Sequence, residues 1–295
     1  MEHGHHHKDH GREAAHVEIN QALRQKLDSA KLTNESKVNN VLRLLTLLGH
    51  HQTQTGKFPE EDEWEYGEHK EAEWAHEWPC GPHQSPINID PHAIINASDI
   101  LKNRWYFPLN INYSPHTAKG EFNPRTFIVR GNFGSLLVNS LFEENPRIFD
   151  IAQFHFHASS EHLLYGQRYD LELHVVHKER SNPSNLLVFG FFFRNDGRAN
   201  PFLENVIRSE AEPTSIDMNL MIPKMKCLYF YEGSLTTPPL FEPVLWFLNP
   251  HLNSINSEQL EFFTRHWSGN HSFAGGKGNY REAQPLNDRS IIHFE

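Results

Sequence analysis

The segment Gln153-Phe154-His155-Phe156-His157 alternates polar and aromatic residues, a pattern that fits a β-strand and no other regular element. On a strand, side chains two residues apart share a face and lie about 6–7 Å apart along the backbone. Gln153, His155 and His157 therefore project together, while Phe154 and Phe156 project oppositely into apolar packing. A second run, Asp170-Leu-Glu172-Leu-His174-Val-Val-His177, repeats the alternation and places Glu172 and His174 on one face. If the two strands are neighbours, His155, His157 and His174 offer three imidazole nitrogens to one point. Three neutral imidazoles leave the fourth tetrahedral position of Zn²⁺ open, the ligand set of a catalytic rather than a structural site. The chain has 22 histidines, so a lone H-x-H pair would carry little weight. The weight comes from Gln153 and Glu172, each two residues before a histidine and each able to hydrogen-bond its ring and fix the tautomer.

A downstream run, Tyr231-Glu-Gly-Ser-Leu235-Thr236-Thr237-Pro238-Pro239-Leu240, continues to Val244 and Trp246. Trp64-Glu-Tyr66-Gly67, Trp74 and Gln84-Ser85-Pro86-Ile87-Asn88-Ile89 precede the histidines, and Asn279-Tyr-Arg281-Glu-Ala-Gln284-Pro285-Leu286 stands near the C-terminus. Together these separated motifs resemble the α-class carbonic anhydrases, over roughly residues 63–295. The resemblance implies a β-dominated α+β fold: a large mixed, mostly antiparallel central sheet with surface helices and the zinc at the bottom of a cone of central strands. It implies reversible hydration of carbon dioxide to bicarbonate by zinc-bound hydroxide, with Zn²⁺ on His155, His157 and His174. Thr236 would orient the hydroxide and donate its own proton to Glu161. Thr237 would hold bicarbonate, and Val176, Val188, Leu235, Val244 and Trp246 would line the apolar side of the cavity. Gln153, Glu172 and the backbone carbonyl of Asn279 would support the three ligands, with His162 and Tyr231 behind Glu172.

The chemistry of these residue types agrees with those roles. Carbon dioxide is small, neutral and nonpolar, so an apolar wall suits it. Zinc lowers the pKa of bound water to about 7. A threonine hydroxyl has one proton to give, and an ionised glutamate can only accept, which sets the direction of a Glu161–Thr236 hydrogen bond.

Three departures from the family pattern stand out. Many members carry a proton-relaying histidine in an Asn-x-Gly-His segment upstream of the first ligands. The matching stretch expected here is Ile128–Leu136, in which Phe133, Gly134 and Ser135 offer no group titrating near pH 7. Ala158 follows His157 where some members have tryptophan. Cys80 stands near the first position of the family's usual disulfide, but Leu240 occupies the region of the second and Cys227 lies thirteen residues before it, so free thiols are expected.

The formal net charge of −10 argues against nucleic acid and anionic membranes as partners, since both select basic surfaces. The 21 phenylalanines favour a β-rich domain with a substantial core. No run approaches the roughly 20 apolar residues of a membrane span, and no signal-peptide pattern is seen, which favours the cytosol or an organelle over secretion. The chain divides into a His-rich flexible tail at 1–16, a helical extension and linker at 17–62, and the anhydrase-like domain at 63–295. In the extension, Ile19, Leu23 and Leu27 share helical spacing, as do Val38, Val41, Leu42, Leu45 and Leu48, with Ser36 as a cap and Gly49 as a stop. Such a hairpin cannot bury its stripe alone, so residues 17–49 are expected to dock on the domain, on a second copy or on a partner protein. Besides a working carbonic anhydrase, two alternatives stay open: a zinc-loaded subunit acting mainly in assembly or binding, and a general zinc esterase.

Overall fold

The computed structural model describes residues 35–49, 64–66, 70–78, 80–101, 106–141, 145–222, 227–265 and 278–295. The His-rich tail, the first expected helix and the linker at 50–63 lie outside them. Eleven strands form one sheet: β1 (Ile94–Asn96), β2 (Leu109–Tyr113), β3 (Glu121–Phe122), β4 (Phe127–Arg130), β5 (Gly134–Val138), β6 (Arg147–His157), β7 (Leu171–Glu179), β8 (Leu186–Asn195), β9 (Leu228–Gly233), β10 (Val244–Ile255) and β11 (Ile291–Phe294). Their order is β1-β11-β9-β10-β8-β7-β6-β4-β3, and β5 joins β2 to the outer part of β6. Only β8–β10 and β11–β1 run parallel, so the sheet is mixed and mostly antiparallel, as expected.

The two faces of the central strands differ as the alternation requires. Phe154 and Phe156 of β6 are fully buried on the face away from the histidines. They pack against Phe202 of the helix Pro201–Arg208 and Phe263 of the helix Ser257–Thr264, with ring centroids 5.9 Å and 4.4 Å apart. The latter helix is capped by Asn256. The Asn256 side chain accepts from the Gln259 amide in a reciprocal capping box, satisfying an otherwise orphaned donor.

Helix α1 (Glu35–Gly49) already includes Ser36, so Ser36 is not its cap. Val38, Val41, Leu42, Leu44, Leu45 and Leu48 are buried and belong to the same apolar core as the sheet. The stripe is thus covered by the chain's own domain. Polar contacts also fix the helix, among them Asn40 donating to the Asp288 carbonyl. Arg43 makes a two-pronged pair with Glu232 at 2.7 and 2.8 Å. Arg147, on β6, donates to the carbonyls of Leu47 and Leu48 at 3.1 and 3.3 Å, serving the C-terminal acceptors that a helix leaves unpaired. The same guanidinium is held by Glu179 of β7 at 2.7 and 2.9 Å. Both cysteines are free. No helix among the described residues is long and apolar enough to cross a membrane.

Candidate metal centre and cavity

Antiparallel pairing of β6 with β7 sets His174 directly opposite His155, and Glu172 opposite His157. The register of two strands thus assembles what the two alternating runs offered separately. The three rings have centroids 4.5–5.4 Å apart, and one nitrogen from each lies within 4.8 Å of the others.

Each ring spends its other nitrogen on a protein acceptor. His155 Nδ1 meets the Gln153 side-chain oxygen at 2.8 Å, and His157 Nδ1 meets the Asn279 carbonyl at 2.6 Å. His174 Nε2 meets the Glu172 carboxylate. An acceptor opposite a ring nitrogen requires the proton there, which leaves Nε2 of His155, Nε2 of His157 and Nδ1 of His174 as lone pairs. His157 Nε2 is buried with no hydrogen-bond partner, the expected condition of a ligand atom facing a cation position. Burial lowers the His155 ring well below its ordinary value and brings His157 down to about 4, so both are neutral, as metal ligation needs. This donor set fits Zn²⁺. His162 lies beside the same carboxylate, but its nitrogens are engaged by Glu172 at 2.9 Å and Tyr231 at 2.6 Å, which makes it a buttress rather than a ligand. Burial works to raise the Glu172 carboxyl, but the His162 and His174 rings overcome it and hold the group well below the usual range.

Glu161 stands next to this cage, its Oε1 lying 3.3 Å from His157 Nε2. Thr236 Oγ1 donates to that same oxygen at 2.6 Å, and the Arg281 backbone N–H donates to the other at 2.7 Å. Burial pushes the Glu161 carboxyl up to about 7, against the pull of His174 and these two hydrogen bonds. Arg281 belongs to the C-terminal motif, yet its part in fixing Glu161 had no sequence signature, because the donor is backbone. The loop that brings Asn279 to His157 turns at Gly278, whose φ of +125° suits glycine.

A cavity of about 560 Å³ opens above His155, His174 and Thr236. Val176, Val188, Leu235, Val244 and Trp246 all line it, with Thr237 beside them, so the expected wall is assembled in one place. A second hollow of about 200 Å³ borders Gln153, His155, His157 and Thr237 and is also lined by Trp64, Tyr66, Ile128 and the turn Asn123–Thr126.

That second hollow corrects the expected position of the relay segment. Ile128 of β4 pairs with His155, so the turn reaching the histidines is Asn123–Thr126. Phe133 is instead fully buried against Phe154 on the opposite face, and Ser135 pairs with Asp150, far down β6. The turn at the site carries no histidine either. Among the described residues lining the two hollows, the imidazoles are His155, His157 and His174.

The sequence matches the eukaryotic-type carbonic anhydrase family over residues 69–295. It is 32% identical over 242 residues to putative carbonic anhydrase 3 of Caenorhabditis elegans, covering 74% of this chain and 92% of that protein. It is 30% identical over 284 residues to carbonic anhydrase Nec1 of Nesocodon mauritianus, covering 88% and 96%. The fold is similar to that of the α-carbonic anhydrase from Thermovibrio ammonificans solved with the inhibitor sulfanilamide, with a TM-score of 0.63, 30% identity and coverage of 80% of this chain and 100% of that one.

Proposed function

Because the chain belongs to the eukaryotic-type carbonic anhydrase family, we propose that it catalyses the reversible hydration of carbon dioxide to bicarbonate and a proton, with Zn²⁺ held by His155, His157 and His174. The observation that carries this reading is the set of three buried rings, each with one nitrogen committed to a protein acceptor and the other turned toward a common point. The ion, when bound, supplies a hydroxide nucleophile near neutral pH. Glu161, 3.3 Å from His157 Nε2, would be favoured in its ionised form by a cation held there. Ionised Glu161 accepts a hydrogen bond from the Thr236 hydroxyl, so the Thr236 oxygen presents only lone pairs to the cavity. It can accept a hydrogen bond from the nucleophile and cannot donate one, which aims the nucleophile's free lone pair at the substrate. Val176, Val188, Leu235, Val244 and Trp246 hold carbon dioxide against this point, and Thr237 holds the bicarbonate formed.

The reading of the chain as chiefly an assembly subunit rested on the missing relay histidine and on the apolar stripe of the added helical extension. In α1 that stripe is covered by the chain's own core, which favours catalysis. Two free cysteines agree with a reducing intracellular compartment. The deciding experiment is stopped-flow carbon dioxide hydration alongside metal analysis. One zinc per chain and hydration well above the uncatalysed rate are expected. A zinc-loaded chain with no rate above background would refute the proposal.

A further inference from the structure

Two basic side chains, Arg130 and Lys178, stand at the outer half of the large cavity. The strand period places Arg130 on the cavity side of β4, on the same face as Ile128 and opposite Gln153. The same period places Lys178 on the cavity side of β7, in line with Glu172, His174 and Val176. Both side chains line the 560 Å³ cavity, and no carboxylate is among its described lining residues. Arg130 shares one contact with Glu121 at 2.9 Å, and a guanidinium has five N–H donors, so its capacity is not exhausted. Asp150 stands opposite Lys178 in the β6–β7 register but is gripped by Arg180 at 2.7 and 3.0 Å, so basic groups still outnumber acidic ones at this mouth, in a chain of net charge −10. The cavity is also far larger than a triatomic substrate needs, and one side of it is apolar, with Val176, Leu186, Val188, Leu235 and Trp246.

We infer that the outer cavity is a binding site for an organic carboxylate: an anionic head between Arg130 and Lys178, and an apolar body along Val176, Leu235 and Trp246. A residue spacing of four along β7 separates Lys178 from His174, about 13 Å of strand, which leaves room for a head group that does not reach the histidines. The site holds whether or not the histidines carry an ion, and this separates it from simple anion coordination to the metal.

The probe is 4-phenylbutyrate, compared with its neutral amide, titrated by calorimetry into the full chain before and after stripping with a chelator. The acid should bind about tenfold tighter than the amide at low ionic strength, in both preparations, and added salt should erode the preference. The Arg130→Gln/Lys178→Gln double variant should bind acid and amide alike. The Arg130→Lys/Lys178→Arg variant should keep the preference, which separates lost charge from altered folding. Equal binding of acid and amide to the native chain, no binding of either, or a preference that survives the double Gln substitution would overturn the inference. So would a preference present only in the metal-loaded chain, since the metal would then be holding the carboxylate. Carbon dioxide hydration is not the readout, so a chain inactive in that assay leaves this result intact, and the reverse also holds.

Discussion

Strands β6 and β7 carry a different assembly at each end. At one end, His155, His157 and His174 meet through a single pairing register, with Gln153 and Glu172 two residues from the rings they hold. At the other end, Arg147, held by Glu179, donates to the last turn of α1, about a hundred positions away in sequence. About eight residues of β6 separate Arg147 from His155, or roughly 26 Å. One end is built from neighbours and closes on a ligand position. The other closes a long loop and joins a helix to the core. The first should govern chemistry and the second stability, and mutations should separate them.

The largest expected effect is at the metal end. His174→Ala removes one of three ligand nitrogens and should reduce both zinc content and hydration to background, with α1 still docked. Unchanged zinc and turnover in this variant would dissolve the site assignment.

At the helix end, Leu45→Ala empties a position that is 2% exposed. It should cost about 2–5 kcal/mol in urea unfolding while the folded fraction keeps its zinc and its kcat/KM. A comparable loss of activity per folded molecule would show that the two ends are not independent.

Thr236→Ala leaves the ligands untouched and removes the proton donor to Glu161. The expected loss is about 2–3 kcal/mol of transition-state stabilisation, roughly 10²-fold in hydration rate, with zinc retained. Full activity in the variant would reduce Thr236 to a structural role.

A smaller effect returns to the helix end. Burial works to raise the Glu179 carboxyl, but Arg147 and Asn185 overcome it and hold the group at about 2. Its folded value lies below its unfolded one, so its contribution is complete above about pH 4.5 and is lost as pH falls toward 2. Glu179→Gln should therefore flatten the stability profile in that window, measured by urea midpoints at a series of pH values. An unchanged acid limb would count against the pair as an anchor.

The finest test concerns proton release at the metal end. With no imidazole beyond the three ligands among the described lining residues, added imidazole buffer should raise kcat and leave kcat/KM for carbon dioxide nearly unchanged. A high kcat in dilute buffer, insensitive to imidazole, would reveal another relay.

Much of the site was legible because β-strand periodicity is a local rule. Gln153, His155 and His157 share a face wherever the strand lies, and so do Glu172 and His174. The two alternating runs lie in β6 and β7 for the same reason. The relay segment was misplaced because its location depends on which residue of β4 pairs with His155. The pairing of Ile128 with His155, a long-range register, puts Asn123–Thr126 at the site and turns Phe133 into the core.

By itself, then, the sequence determined the donor types, the faces they occupy and the family motifs that accompany them, because these follow from side-chain chemistry and a period of two. The tertiary structure decided everything that needs two distant segments to meet. It set His174 against His155, gave Glu161 the Arg281 backbone N–H, and brought the Asn279 carbonyl to His157. It covered the α1 stripe with the chain's own core and gathered Arg130 and Lys178 at one cavity mouth. Backbone donors carry no side-chain signature, and an apolar stripe states that it must be buried without stating by what.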